Sequence, residues 1–114
     1  PTVDSESENY KEMEELGYLS RNDFGKRMYQ LGDAAVFDPT NPDARKFVWD
    51  KIKKNYYDDG IRIFWLDEAE PEFTNYEYSN HRFYLGSDLE IGNVFPREYA
   101  EWPMREWKRQ DRKT

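Results

Sequence analysis

Four carboxylates crowd the segment Asp67-Glu68-Ala69-Glu70-Pro71-Glu72, directly after the apolar run Ile61-Arg62-Ile63-Phe64-Trp65-Leu66. Carboxylates are the residues of general acid–base work, of covalent attack on acetal carbons and of hard-cation binding. What gives this group direction is what precedes it. Gly60 offers a turn, and six residues rich in β-branched and aromatic side chains then break abruptly into acid. A buried parallel strand reads this way when it delivers a carboxylate to the open end of a sheet. Asp67 is therefore the candidate catalytic residue. The competing reading is an Asp that only caps a helix or satisfies turn amides, which is common after a strand.

The elements upstream fit that task. Asn41 can cap a helix, Pro42 suits its first position, and Asp43 complements the positive end of the dipole. Ala44, Phe47, Val48, Ile52 and Tyr56 then recur at helical spacing, with Lys46, Asp50, Lys53 and Lys54 off the stripe. The pattern predicts a helix over 42–57, a tight turn at Asp58-Asp59-Gly60, and a strand over 61–66. Helix, turn and apolar strand make half of a βαβ unit. Phe47, Val48, Ile52, Ile63 and Phe64 are the expected centre of the core.

Before this, Ser5 to Glu8 precede a short helix with Tyr10, Met13 and Leu16 on one face, stopped by Gly17. Residues 19–32 are polar and read as an excursion, hairpin-like about Asn22-Asp23-Phe24-Gly25. Ala34-Ala35-Val36-Phe37 is a short apolar piece. Beyond Glu72, residues 73–84 are too polar for a core strand and too aromatic for a free linker, so they read as an ordered rim loop. His81, the sole histidine, is a weak metal signal. Arg97 to Ala100 look like the first turn of a further helix.

The motif carries a resemblance. Trp65-Leu66-Asp67-Glu68-Ala69-Glu70 resembles the nucleophile motif of glycoside hydrolase family 31, in which a Trp-x-Asp-x-x-Glu pattern closes the fourth strand of a (β/α)8 barrel. Phe37-Asp38-Pro39-Thr40-Asn41-Pro42, Tyr84-Leu85-Gly86 and Asn93-Val94-Phe95-Pro96 are similar to flanking text of its α-xylosidase-like and α-glucosidase-like members. The resemblance covers residues 1–100. It implies an α/β fold, the slice of a barrel from just after strand 3 through strand 4 and its following loop.

It also implies roles. Asp67 would be the nucleophile of a retaining α-glycosidase acting on terminal α-linked xylose or glucose of an oligosaccharide. Trp65 would wall the sugar pocket. Glu68 would lie at the substrate, at a position where many relatives carry Met or Phe, so the sugar stays open. Glu70 would brace the loop. The acid/base carboxyl lies further along the family's chain than this sequence reaches. No cofactor or metal is implied. A divalent-metal barrel enzyme using Asp67, Glu68 and Glu70 as oxygen ligands is the alternative chemistry, and an inactive truncated product is the non-enzymatic one.

Composition bounds the rest. The 114 residues are fewer than half of the roughly 250 a (β/α)8 barrel needs. Twenty-four acidic against 17 basic residues argue against nucleic acid or an anionic membrane as partner. The chain has no cysteine, which excludes disulfides and thiolate metal sites. No apolar run reaches membrane-span length. The lack of cysteine and of a visible signal peptide leans toward the cytoplasm, although the N-terminus is expected to be missing. The start at Pro1 is expected to be a cut or lost terminus.

Residues 101–114 change character. They hold two of the four Trp and five basic residues against three acidic ones. No helical stripe is evident, and Pro103 is expected to break any helix begun at Pro96. One permitted codon choice for this stretch, read from the third base of the Glu101 codon, encodes Met-Ala-Tyr-Glu-Gly-Met-Glu-Ala-Ala-Gly-Gln-Lys-Asn. That peptide is amphipathic and continues the family's helix from Tyr99-Ala100. The organisation expected is thus a partial catalytic domain over 1–100 and an atypical tail over 101–114, explained by a shifted reading frame or by a cloning tail.

Overall fold

A computed structural model describes residues 2–30, 32–68 and 78–113. The elements are β1 (Thr2–Asp4), α1 (Tyr10–Glu15), β2 (Tyr29–Gln30), β3 (Ala34–Val36), α2 (Pro42–Ile52), a π-helical turn (Lys53–Tyr57), a 3₁₀ turn (Tyr78–Asn80), β4 (Arg82–Phe83), β5 (Gly86–Ser87), α3 (Asp88–Ile91) and α4 (Val94–Asp111). β3 is central in an antiparallel sheet ordered β1-β3-β2, with Val3 and Tyr29 both opposite Ala35. β4 and β5 form a two-residue-per-strand hairpin.

α2 forms as the sequence dictates. The Asn41 carboxamide oxygen accepts from the amides of Asp43 at 2.9 Å and Ala44 at 3.4 Å, and Pro42 opens the first turn. The excursion is also a hairpin. Arg21 pairs antiparallel with Arg27, and the Asn22 side chain accepts from the amides of Phe24 and Lys26, an Asx-type turn. Its outer edge bonds to the chain after the acidic segment: Arg21 pairs with Arg82, and the Asp23 amide donates to the Ser79 carbonyl at 2.8 Å.

The strand expected over 61–66 does not form; residues 61–68 lie outside any regular element. A strand exists through its neighbours' hydrogen bonds, and among the described residues none pairs with this segment. Its coverage is one-sided. Phe64 is partly buried against the core, whereas Ile63 is 88 % and Trp65 89 % exposed. Asp67 lies outside a regular element, as expected.

The centre of the core also lies elsewhere than predicted. Phe47, Val48, Ile52 and Phe64 are only partly buried. The buried set is Met13, Leu19, Ala35, Val36, Phe37, Ala44, Trp49, Tyr57, Phe83, Phe95, Tyr99 and Trp102, with Tyr10. Leu16 is exposed because the helix ends before it, leaving it as the C-cap.

The largest correction concerns Pro103. α4 runs unbroken from Val94 to Asp111 with Pro103 inside and buried. Proline there removes the bond to the Tyr99 carbonyl and crowds it. Tertiary packing overrides this local cost. Trp102 stands edge-on to Phe37 at 6.2 Å and to Trp49 at 6.4 Å. Arg105 pairs with Glu101 and Arg109 with Glu106 along the exposed face. Arg45 of α2, on Glu98 of α4 at 3.3 Å, joins the two helices.

If α4 carries a proline its packing only tolerates, Pro103→Ala should stabilise the chain by roughly 1–3 kcal/mol. Urea unfolding checks this; a midpoint that falls would mean that the proline ring contributes more by packing than its backbone defect costs.

Candidate active site

The approach to Asp67 is built from the end of α2. The π turn closes with the Asp58 amide on the Lys53 carbonyl at 2.9 Å, and Gly60 at φ +100° makes the reversal that a side chain would resist. The Ile61 amide donates back to the Tyr56 carbonyl at 3.1 Å. Arg62 donates to the Tyr57 carbonyl and lays its guanidinium 3.9 Å from the centre of the Tyr57 ring, a cation–π contact. Further on, Phe64 meets Trp107 edge-on at 6.1 Å. The segment is thus anchored at its base and its middle.

At its end, the Asp67 carboxylate accepts from the Glu68 amide at 2.9 Å. Glu68 has φ +53°, left-handed backbone that a non-glycine residue adopts at a cost of order 1 kcal/mol. The chain therefore turns sharply at the candidate nucleophile. Asp67 is exposed and Glu68 half-buried. Glu70 and Glu72 lie outside the described residues. Among the described residues, no three His, Asp or Glu side chains are grouped to hold a metal ion.

Sequence reasoning did not single out Tyr99 for the site. Its phenol is pushed above its usual range, first by burial, then by the negative charges of Asp67 and Glu68. Tyr99 lines one groove with Leu66, the residue before Asp67, which sets the α4 tyrosine on the approach to the acidic turn. Its ring stacks on Phe95 at 6.3 Å and tilts against Phe37 at 6.1 Å. A tyrosine at helical spacing reads as core, and its second neighbourhood has no signature in the sequence.

A cavity of about 490 Å³ opens alongside, lined by Phe64, Trp65, Leu66, Tyr99, Trp102 and Trp107 among others. Neither Asp67 nor Glu68 lines it. Sugar sites need convergent polar groups as well as rings, so this apolar groove is packing surface rather than a sugar pocket. Trp65 contributes to it yet stays largely exposed.

Two further buried groups stand nearby in sequence. Asp38 lies at 2 % exposure after β3, and His81 is buried before β4, where desolvation lowers its imidazole to about 4 and keeps it neutral at pH 7.

The model of the domain described as "Glycosyl hydrolases family 31 TIM-barrel domain" matches residues 1–114. The chain belongs to glycoside hydrolase family 31. It is 46 % identical to the uncharacterized family 31 glucosidase ORF2 of Pseudescherichia vulneris, over 89 % of this chain and 20 % of that protein. The alpha-xylosidase A of Aspergillus niger is 31 % identical over 84 % of the chain and 16 % of its own length. Among solved structures, a family 31 alpha-xylosidase from a soil metagenome, complexed with xylose, superposes with a TM-score of 0.84 at 50 % identity, covering 97 % of this chain and 17 % of that one. The chain spans a fifth or less of the proteins it matches here, and it is a piece of the family's TIM-barrel domain.

The placement of Tyr99 is testable without any substrate. Asp67→Asn removes one of the charges that disfavour the phenolate, so the Tyr99 pKa should fall back toward 10. Nuclear magnetic resonance of ring-labelled tyrosine reads the midpoint, with Tyr99→Phe identifying the signal; an unmoved midpoint would remove Tyr99 from the site.

Proposed function

We propose that this sequence encodes the nucleophile segment of a retaining α-glycoside hydrolase that releases terminal α-linked xylose or glucose from oligosaccharides. The observation that carries the reading is the Trp65-Leu66-Asp67-Glu68-Ala69-Glu70 motif in a family 31 chain. Asp67 attacks the anomeric carbon and expels the aglycone oxygen, forming a glycosyl-enzyme that water then hydrolyses with retention. A second carboxyl about 5–5.5 Å away acts first as acid and then as base. That partner comes from beyond these 114 residues. Trp65 walls the glycone site, Glu68 contacts the sugar and Glu70 braces the loop. An aspartate at the sharp end of an anchored apolar segment, exposed to solvent, supports the first role. The relatives named for xylose and for glucose support both sugars alike.

In a full-length parent, Asp67→Asn should abolish turnover, since the carboxylate forms the covalent bond. A fluorinated α-glycosyl inhibitor should label the peptide holding Trp65 to Glu70. Label on another peptide, with the Asn variant still turning over, would take Asp67 out of the role.

We further propose that residues 101–114 are a shifted-frame tail. Supporting this, Pro103 sits mid-helix, where it removes one backbone hydrogen bond. Resequencing should restore a frame reading Met-Ala-Tyr-Glu-Gly-Met after Ala100. The 114-residue chain, lacking the acid/base whose loss alone costs 10²–10⁴ in rate, should not hydrolyse aryl α-xylosides or α-glucosides. A confirmed in-frame tail followed by no hydrolase sequence would end the frameshift reading, and measurable cleavage by the purified chain would end the half-pair one.

A further inference from the structure

The segment Asp38-Pro39-Thr40 hides two polar side chains, each 2 % exposed, between β3 and α2. The Asp38 carboxylate uses both oxygens. Oδ1 accepts from the Thr40 amide at 2.9 Å and from the Thr40 hydroxyl at 2.7 Å. Oδ2 reaches 46 residues along the chain and accepts from the Tyr84 amide at 2.6 Å. The Thr40 hydroxyl oxygen then accepts from the Leu85 amide at 3.3 Å. Tyr84 and Leu85 form the turn between β4 and β5, and both of their side chains are exposed. The buried pair therefore holds this turn through its backbone alone.

Burying a carboxylate is expensive, and here desolvation outweighs the hydrogen bonds and the field of Arg45, raising the Asp38 carboxyl above its usual range. A neutral residue could close a two-strand hairpin more cheaply. What the carboxylate does beyond that appears from its neighbours. Phe37, next to Asp38, packs on Tyr99. Phe83, next to Tyr84, packs on Phe95 at 5.3 Å, and Phe95 stacks on Tyr99. The contacts make a closed ring: Asp38, Phe37, Tyr99, Phe95, Phe83, Tyr84 and back to Asp38. Tyr99, on this ring, lines one groove with Leu66, the residue before Asp67, and the charges of Asp67 and Glu68 add to the burial that raises its phenol.

We propose that Asp38 is a positioning residue for the glycosidase reaction. Its carboxylate closes the ring and so fixes the Tyr99 surface along which the segment ending in the candidate nucleophile runs. Thr40 orients the carboxylate, and neither residue touches substrate. The inference rests on the proposed role of Asp67, and its test separates the two.

Asparagine keeps the shape of Asp38 but replaces one oxygen by NH₂. If Oδ1 stays with Thr40, the Tyr84 amide faces a donor and loses its acceptor. In a full-length family 31 enzyme carrying residues 1–100 of this sequence, Asp38→Asn should speed hydrogen exchange at least tenfold in the peptide spanning Tyr84 and Leu85. It should lower kcat on an aryl α-glycoside ten- to a hundredfold, as small misplacements do, and leave KM within twofold. Thr40→Ser, which keeps the hydroxyl, should leave exchange and kcat near the parent's values. Thr40→Val should reproduce the loss, and it carries the test if Asp38→Asn does not fold. Faster exchange with kcat unchanged overturns the proposal, as does exchange that does not change. If the parent shows no hydrolysis, the function reading fails by itself; the Tyr99 midpoint then decides this one. It should move toward 10 in Asp38→Asn or Thr40→Val as Tyr99 leaves the acidic turn, and an unmoved midpoint overturns the positioning role.

Discussion

Trp102 holds the chain together as one body. Its ring meets Trp49 from α2 on one side and Phe37 from the end of β3 on the other, both edge-on. From that junction, ring contacts run through Trp49 to Tyr57, and through Phe37 to Tyr99, Phe95 and Phe83. Edge-to-face and offset pairs contribute about 0.5–1.5 kcal/mol each beyond their buried area. The local penalty of Pro103 is of similar size to two or three such contacts, and the helix accordingly continues through it. Without Trp102, α4 of this chain would lose its ring contacts with Trp49 and Phe37.

The same dependence explains why some elements were legible in advance and others were not. α2 was readable because its signals are local: a cap at Asn41, proline at the first position and an apolar stripe. The hairpin about Asn22 was readable for the same reason, since an Asn side chain makes its own turn. Where stability is decided between distant residues, the reading failed. The apolar stripe of α2 pointed to Phe47, Val48 and Ile52, but of the stripe only Ala44 is buried in α2, together with Trp49, one residue off it, because α4 covers that side. Pro103 was read as a break because the compensating contact, Trp102 on Trp49, joins residues 53 positions apart.

Residues 61–66 show the limit in its sharpest form. Their composition is that of a strand buried on both faces, yet only one side is covered here, and no backbone partner exists among the described residues. Strand propensity is a statement about fitting between neighbours rather than about a segment alone. Ile63 and Trp65 therefore face solvent while keeping the sequence of a core. In a (β/α)8 barrel such residues are enclosed by adjacent strands and by the helical layer. Membership of family 31 and the TM-score of 0.84 with a xylosidase of the family supply the context that this segment's composition already demands.

The site is divided in a corresponding way. Its proposed chemistry could be put forward from the sequence, because an apolar run ending in Asp67 is a pattern of residue types. Its support was not. Asp38 was visible only as part of the text flanking the motif, and nothing in Asp38-Pro39-Thr40 announces that its carboxylate will bond to Tyr84, 46 residues later. Tyr99 was read only as part of a helix turn; it is core, and it lines one groove with Leu66, the residue before Asp67. Both residues matter through closure of a ring of contacts, which is a property of the folded chain. A buried carboxylate at 2 % exposure, spending one oxygen on its own turn and the other on a distant one, is the kind of group a fold retains only where a backbone must be held in place. In this chain, that backbone belongs to the turn on which the chain re-enters the core after the acidic segment, next to the Phe83, Phe95 and Tyr99 rings.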